Sequence, residues 1–205
     1  MQIRQKQIGK WMLKPWPCVL LGLLLISQSA MAENRPSAEE VLKENLAAVF
    51  EVLNNQDLNQ EGKKNKILEI VDPMFDFSLM AKLSLGRKYW PGLTQEQKDE
   101  FTRLFVKRLR ASYLDRLTLY TDETVLYEPS IEVKQKIRIP TYLVSKDKKF
   151  SILYKFHNSE TSWKIYDLEI QGVSIIQSYR SQFHEILSSG TFEDLLNKLE
   201  QPVEN

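Results

Sequence analysis

The sequence predicts an α+β fold, with helices packed on one face of an antiparallel sheet of about four strands. Three observations predict it. Apolar residues recur at helical spacing from about Val41 to Leu117, and near Thr124 the period drops from 3.6 to 2. The joints between the alternating runs, such as Ser145-Lys146-Asp147-Lys148 and His157-Asn158-Ser159-Glu160-Thr161, are short and turn-like, which favours a meander over parallel crossovers. Helical spacing then returns after Gly172.

The first 32 residues read as a cleaved secretory leader rather than as fold. Arg4, Lys6, Lys10 and Lys14 form a basic start without acids, Cys18 to Ile26 an apolar run, and Ala30-Met31-Ala32 a small-x-small cleavage site. The run is shorter than the roughly 18 to 20 residues a membrane span needs. Cys18 opens the run instead of closing it, which argues against a lipidated cysteine. The expected mature chain, residues 33–205, is a single domain of 173 residues, the 205 of the sequence less 32. Taking the four leader cations from 28 leaves 24 basic residues against 27 acids, so no nucleic-acid-binding surface is implied. No cysteine remains, which excludes disulfides and thiol chemistry from that domain.

Ser37 with Glu40 is a capping-box start for a helix carrying Val41, Leu42, Leu46, Val49, Phe50 and Leu53. The polar stretch Asn54 to Gly62 leads to a short helix that ends before Asp72-Pro73, because proline disfavours a helical residue ahead of it. A third helix, Phe75 to Leu85, is stopped by Gly86. Thr94 with Gln97 opens the longest, from Gln95 to about Tyr120. Its apolar stripe is Phe101, Leu104, Phe105, Leu109, Tyr113 and Leu117, and Lys98, Arg103, Lys107, Arg110 and Asp115 form a solvated face.

In the strands, Val133, Ile137 and Ile139 alternate with charged residues, as do Phe150, Ile152, Tyr154 and Phe156 with Ser151, Lys155 and His157. Trp163 to Ile170 is apolar on both faces and so central or covered. Pro140 cannot donate to a ladder and belongs at a bulge or an edge. Ser174 to Leu187 is a closing helix, and Thr191 with Asp194 caps a last one reaching Leu199.

Catalytic equipment is thin. His157 and His184 are the only histidines, and neither has a neighbouring His, Cys or paired carboxylate in sequence, which argues against a zinc site. Gly172-Val173-Ser174-Ile175-Ile176 imitates a nucleophile elbow, but Ile176 stands where the second glycine must be; Ser174 reads as a helix cap. Asp57-x-Asn59-x-Glu61-Gly62 imitates a calcium loop, yet its twelfth position is Leu68. Neither a cofactor nor a metal is expected, and no enzymatic activity.

Two blocks carry a resemblance. One is Phe75-Asp76-Phe77, Met80-Ala81, Leu85-Gly86-Arg87 and Tyr89-Trp90, followed by Gln95, Gln97, Phe101 and Phe105. The other runs from Trp163-Lys164-Ile165-Tyr166-Asp167 through Gly172-Val173-Ser174 to Tyr179-Arg180-Ser181-Gln182-Phe183. Over roughly Val41 to Leu199 the chain resembles the MlaC family, the toluene-tolerance or auxiliary ABC-transport proteins. The resemblance implies a periplasmic phospholipid carrier that maintains outer-membrane lipid asymmetry. Its implied partners are an outer-membrane lipoprotein–porin complex and the substrate-binding component of an inner-membrane ABC transporter. It also implies an apolar pocket between helices and sheet, which periodicity alone cannot distinguish from a filled core.

The candidate lining residues are then Phe77, Met80, Leu85, Phe101, Leu104, Phe105, Leu109, Tyr113, Ile137, Ile139, Phe150, Ile152, Tyr154, Phe156, Trp163, Tyr166, Val173 and Ile176. Arg87 and Arg180 are the headgroup candidates, each weighed against a structural role pairing with Asp167 or another carboxylate. Two acyl chains of about 15 methylenes, at roughly 0.8 kcal/mol per CH₂, would cost about 24 kcal/mol if left wet, so only enclosure suffices. Three other readings stay open at this stage: a carrier of another lipid such as a hopanoid, a hydrolase using Ser174, and a structural or adaptor domain with a filled core.

Overall fold

The computed structural model describes residues 35–117, 124–145 and 148–203, with the side chains of residues 114–117 left aside; the expected leader lies outside them. The helices begin where the caps predict. In α1 (Ala38–Asn54) Ser37 and Glu40 form the capping box. Asn59 caps α2 (Gln60–Val71) by accepting from Gly62 N at 2.8 Å, so the calcium-like stretch serves as a helix start. A 3₁₀ turn, Asp72–Met74, carries Pro73. Asp76 then caps α3 (Phe77–Tyr89), accepting from Leu79 N at 2.9 Å.

Gly86 does not end α3. It sits at φ 77°, ψ 177°, a break after which one more helical turn runs to Tyr89. The expected stop is a kink, because the 3₁₀ turn Trp90–Gly92 continues the chain in the same sense. Thr94 and Gln97 cap α4 (Gln95–Leu117) reciprocally, and the expected extension to Tyr120 falls outside the described residues. Ser174 caps α5 (Ile175–Ser189), and a Thr191–Asp194 box opens α6 (Phe192–Glu200).

The sheet has six strands rather than about four. They are β1 (Thr124–Tyr127), β2 (Ile131–Val133), β3 (Lys136–Ser145), β4 (Lys148–Asn158), β5 (Trp163–Ile170) and β6 (Val173–Ser174), all antiparallel. Their order is β1-β3-β4-β5-β6, with β2 beside β1 on the same flank of β3. The three shortest strands, β1, β2 and β6, have two to four residues, too few for an alternation to register. Pro140 lies neither at a bulge nor on an edge strand. It faces the break between β1 and β2, where its carbonyl accepts from Glu128 N at 3.0 Å and no donor is required of it.

Burial divides into three cores. The largest joins α3 to α6 around Phe101, Phe105, Tyr179 and Phe183. Phe101 meets Phe183 edge-on at 5.6 Å, and Phe105 meets Tyr179 edge-on at 5.3 Å. A second seats Ala38, Leu42 and Met74 on Ile139, Phe156 and Ile165 of the sheet. A third joins α1 to α2 through Val49, Leu53 and Ile67.

Candidate functional site

The second core identifies the helix-facing side of the sheet, and pairing register orders its side chains into rows. Ile137, Phe156 and Ile165 form the first, and Ile139, Tyr154 and Leu168 the second. Tyr127, Thr141, Ile152 and Ile170 form the third, and Val125, Leu143 and Phe150 the fourth. At about 3.4 Å per residue, the six steps from Phe156 to Phe150 span roughly 20 Å.

Along β4 the helix-facing side chain is fully buried only at the Phe156 end of this path. Phe156 and Ile165 are fully buried, and Ile139 and Thr141 nearly so. Tyr154, Ile152 and every member of the fourth row keep accessible surface. Val125, Leu143, Phe150 and Ile152 belong to none of the three cores among the described residues. These side chains point to the helix side and are apolar, yet no core of the described residues closes over them.

Tyr154 sits at the transition. Burial pushes its phenol well above the usual tyrosine range, with neighbouring Tyr127 adding to the shift, yet the residue is only partly buried by surface. Burial also raises the Tyr127 phenol. Both hydroxyls therefore stay neutral, which suits an apolar lining.

The structure sorts the expected lining residues into three groups. Met80, Leu85, Phe101, Leu104, Phe105, Leu109, Ile139, Phe156 and Ile176 are spent on packing inside the cores. Phe77, Tyr113, Ile137, Phe150, Ile152, Tyr154 and Trp163 keep free surface. Two lie elsewhere. Val173 is 61% exposed at the outer edge of the sheet. Tyr166, adjacent to helix-facing Ile165, takes the opposite face; there it meets His157 edge-on, and Lys136 Nζ lies 4.3 Å over its ring. A bulge at the Lys155–Phe156 step then returns Leu168 and Ile170 to the helix side. Period-2 counting missed the bulge. Val125 and Leu143 were missed for a simpler reason: one lies in a four-residue strand and the other past Pro140, beyond the alternation counted from Val133 to Ile139.

Polar groups also find unexpected partners. Buried Asp167 pairs with Lys155 at 3.0 Å, not with either arginine, and accepts from Ser174 Oγ at 2.7 Å and Ile176 N at 3.2 Å. Ser174 in turn accepts from Gln177 N at 3.1 Å, so its hydroxyl works as a helix cap. His157 does have a carboxylate partner, Asp76 Oδ2 at 2.9 Å, which sequence distance concealed. Arg110, expected on a solvated face, pairs with Asp72 at 2.5 Å and lies 5.9 Å over the Phe77 ring. Arg87 and Arg180 are exposed on the α3–α5 side. A separate recess of about 230 Å³ among α4, α5 and α6 is lined by Arg108, Tyr179 and Leu199. Facing no strand, it is not the space above the open rows.

Comparison with known proteins agrees with this architecture. The model of the MlaC protein family matches residues 43–201. The intermembrane phospholipid transport system binding protein MlaC of Haemophilus influenzae is 22% identical over 204 residues, spanning 92% of this chain and 93% of that protein. The solved structure of a phospholipid-binding protein from Ralstonia solanacearum, in complex with a phospholipid, superposes with a TM-score of 0.72 at 24% identity. It covers 80% of this chain and 96% of that one, and so shares the fold. With the family model spanning most of its length, the chain belongs to the MlaC family.

Proposed function

We propose that this chain is a periplasmic phospholipid carrier, shuttling lipid between the two membranes with its acyl chains held above the open rows of the sheet. The observation that carries this reading is the set Val125, Leu143, Phe150 and Ile152: apolar, helix-facing and outside the packed cores formed by the described residues. From the transition at Tyr154 to Phe150 the path along β4 is roughly 14 Å, close to the ~15 Å depth of one leaflet of hydrocarbon, so a chain lies lengthwise. Among the described residues no helix is long and apolar enough to cross a membrane, in keeping with a carrier that moves between membranes. The names of the relatives, a phospholipid transport binding protein and a phospholipid-binding protein, support the same cargo.

The partners proposed by family analogy are an outer-membrane lipoprotein–porin complex and the substrate-binding component of an inner-membrane ABC transporter. Enclosure at roughly 0.8 kcal/mol per methylene makes spontaneous release slow, so docking must open the site. The α3 segment, hinged between Pro73 and the Gly86 kink, is the element we assign to that movement. Native mass spectrometry of the protein as purified, before and after delipidation, tests the reading. A mass increment matching a phospholipid supports it. A hopanoid mass would change the cargo, and a protein that never carries an amphiphile would sink the reading.

A further inference from the structure

We infer that the face shared by the end of α3 and the middle of α5 docks on an anionic phospholipid bilayer; the inference rests on the carrier reading above. Charge is distributed unevenly over the helices. α3 contains Lys82, Arg87 and Lys88 and no carboxylate, and α5 contains Arg180 and His184 against the single acid Glu185. By contrast α1 carries Glu39, Glu40, Glu44 and Glu51 against Lys43 alone. This basic face stands on a chain whose residues from 33 onward hold more acids than bases.

The basic groups are brought together by specific contacts. A Cβ at Gly86, whose φ is +77°, would stand 3.0 Å from Arg180 Nε, so only glycine lets the guanidinium lie against the α3 backbone. Tyr89 Oη and His184 Nδ1 join the helices at 3.0 Å, and Lys88 Nζ lies 5.0 Å over the Tyr89 ring. Next along the chain, Lys98 Nζ lies 5.8 Å over Trp90. Among the described residues Arg87 and Arg180 have no carboxylate partner, and both are exposed.

Unpaired arginines beside partly exposed Tyr and Trp rings are the composition of a membrane-interface surface: the rings sit at headgroup level and the cations meet phosphates. A small number of cations gives weak, salt-sensitive attachment. A shuttle needs that, since it must leave each membrane it visits.

The test uses the full chain after leader removal, floated with vesicles of pure phosphatidylcholine or of phosphatidylcholine mixed equally with phosphatidylglycerol. The wild type should partition onto the mixed vesicles only and come off as salt is raised. Reversing two charges, Arg87→Glu with Arg180→Glu, should lower partitioning more than tenfold, given about fivefold per cation at a membrane surface. Arg87→Gln with Lys88→Gln provides a milder second pair. Lys66→Glu with Lys107→Glu, on exposed positions of α2 and α4, should change it far less. A single Lys88→Glu, at an exposed position outside the candidate lining and headgroup residues, should lower partitioning while carried lipid and thermal stability stay unchanged. Equal partitioning onto both vesicle types, or equal loss in the two double reversals, overturns the inference. So does a wild type that ignores vesicles while the α3–α5 reversal abolishes transfer in cells, which would assign the face to an acidic protein. Absence of carried lipid with intact vesicle binding would instead count against the carrier reading alone.

Discussion

The two ends of the helix-facing sheet surface are written in the same residue types and have opposite fates. At one end Phe156 and Ile165 meet Ala38, Leu42 and Met74 and are fully buried, with Ile137 packed at their margin. At the other, Val125, Leu143 and Phe150 are as apolar and as regularly alternated, yet enter no core. Alternation fixes which face a side chain takes. Whether that face becomes core or lining depends on what is laid over it, which is decided far away in the chain by where α1 and the Asp72–Met74 turn land. The difference is therefore one of cover, not of composition.

The largest effect that would sharpen this contrast lies at the closed end. Phe156→Ala removes a fully buried ring from a row packed on both sides, and should cost about 3–5 kcal/mol of folding stability, measured by urea denaturation. A loss no greater than that of a surface substitution would mean the closed end is not closed.

Next in size is the polar clamp on the opposite face. Lys155 lies between Asp167 at 3.0 Å and Glu169 at 2.9 Å. Burial works against its ammonium, but hydrogen bonds to Glu169 and Asp167 outweigh that and hold its pKa above the ordinary lysine value. Lys155→Met should cost about 2 kcal/mol, less than a fully orphaned buried charge because Asp167 keeps two other donors. The sign follows from a raised pKa. The wild-type advantage is full below the ordinary lysine value of 10.5 and is lost as pH rises through the higher folded value. Between about pH 7 and 10 the stabilities of the two proteins should therefore keep a constant separation and converge only in strong alkali; convergence already within that window would contradict the pairing.

A smaller effect is expected at the kink. Gly86→Ala puts a side chain in the left-handed region and against Arg180, for about 1–2 kcal/mol. Because α3 is the proposed moving element, the variant should also change the rate of lipid exchange between vesicles. A change in stability with unaltered exchange would take α3 out of the gate.

Much of this was legible in the sequence, for local reasons. The three capping pairs Ser37–Glu40, Thr94–Gln97 and Thr191–Asp194 act within three residues, and each marks a real helix start. The change of period near Thr124 likewise coincides with the first strand. What escaped is non-local. His157 finds Asp76 across 81 residues, and Arg110 finds Asp72 across 38. Leu168 and Ile170 join the helix-facing side through a single bulge that no composition announces. Half of the expected lining residues are core, since an inward-facing Phe101 and an inward-facing Phe150 read alike until the helices are in place.

The smallest expected stability change is also the most discriminating. Phe150 keeps accessible surface and has no place in any core, so Phe150→Ala gives up little protein–protein contact and should cost less than about 1 kcal/mol in the delipidated chain. If the ring instead packs against cargo, the lipid-loaded protein loses that contact in full. Bound lipid stabilises only the folded state, in proportion to its affinity. The gap in Tm between wild type and variant should therefore be wide for protein purified with its lipid and should close on delipidation. A gap of several degrees that survives delipidation would make Phe150 an ordinary core residue, and the two ends of the sheet would then be the same after all.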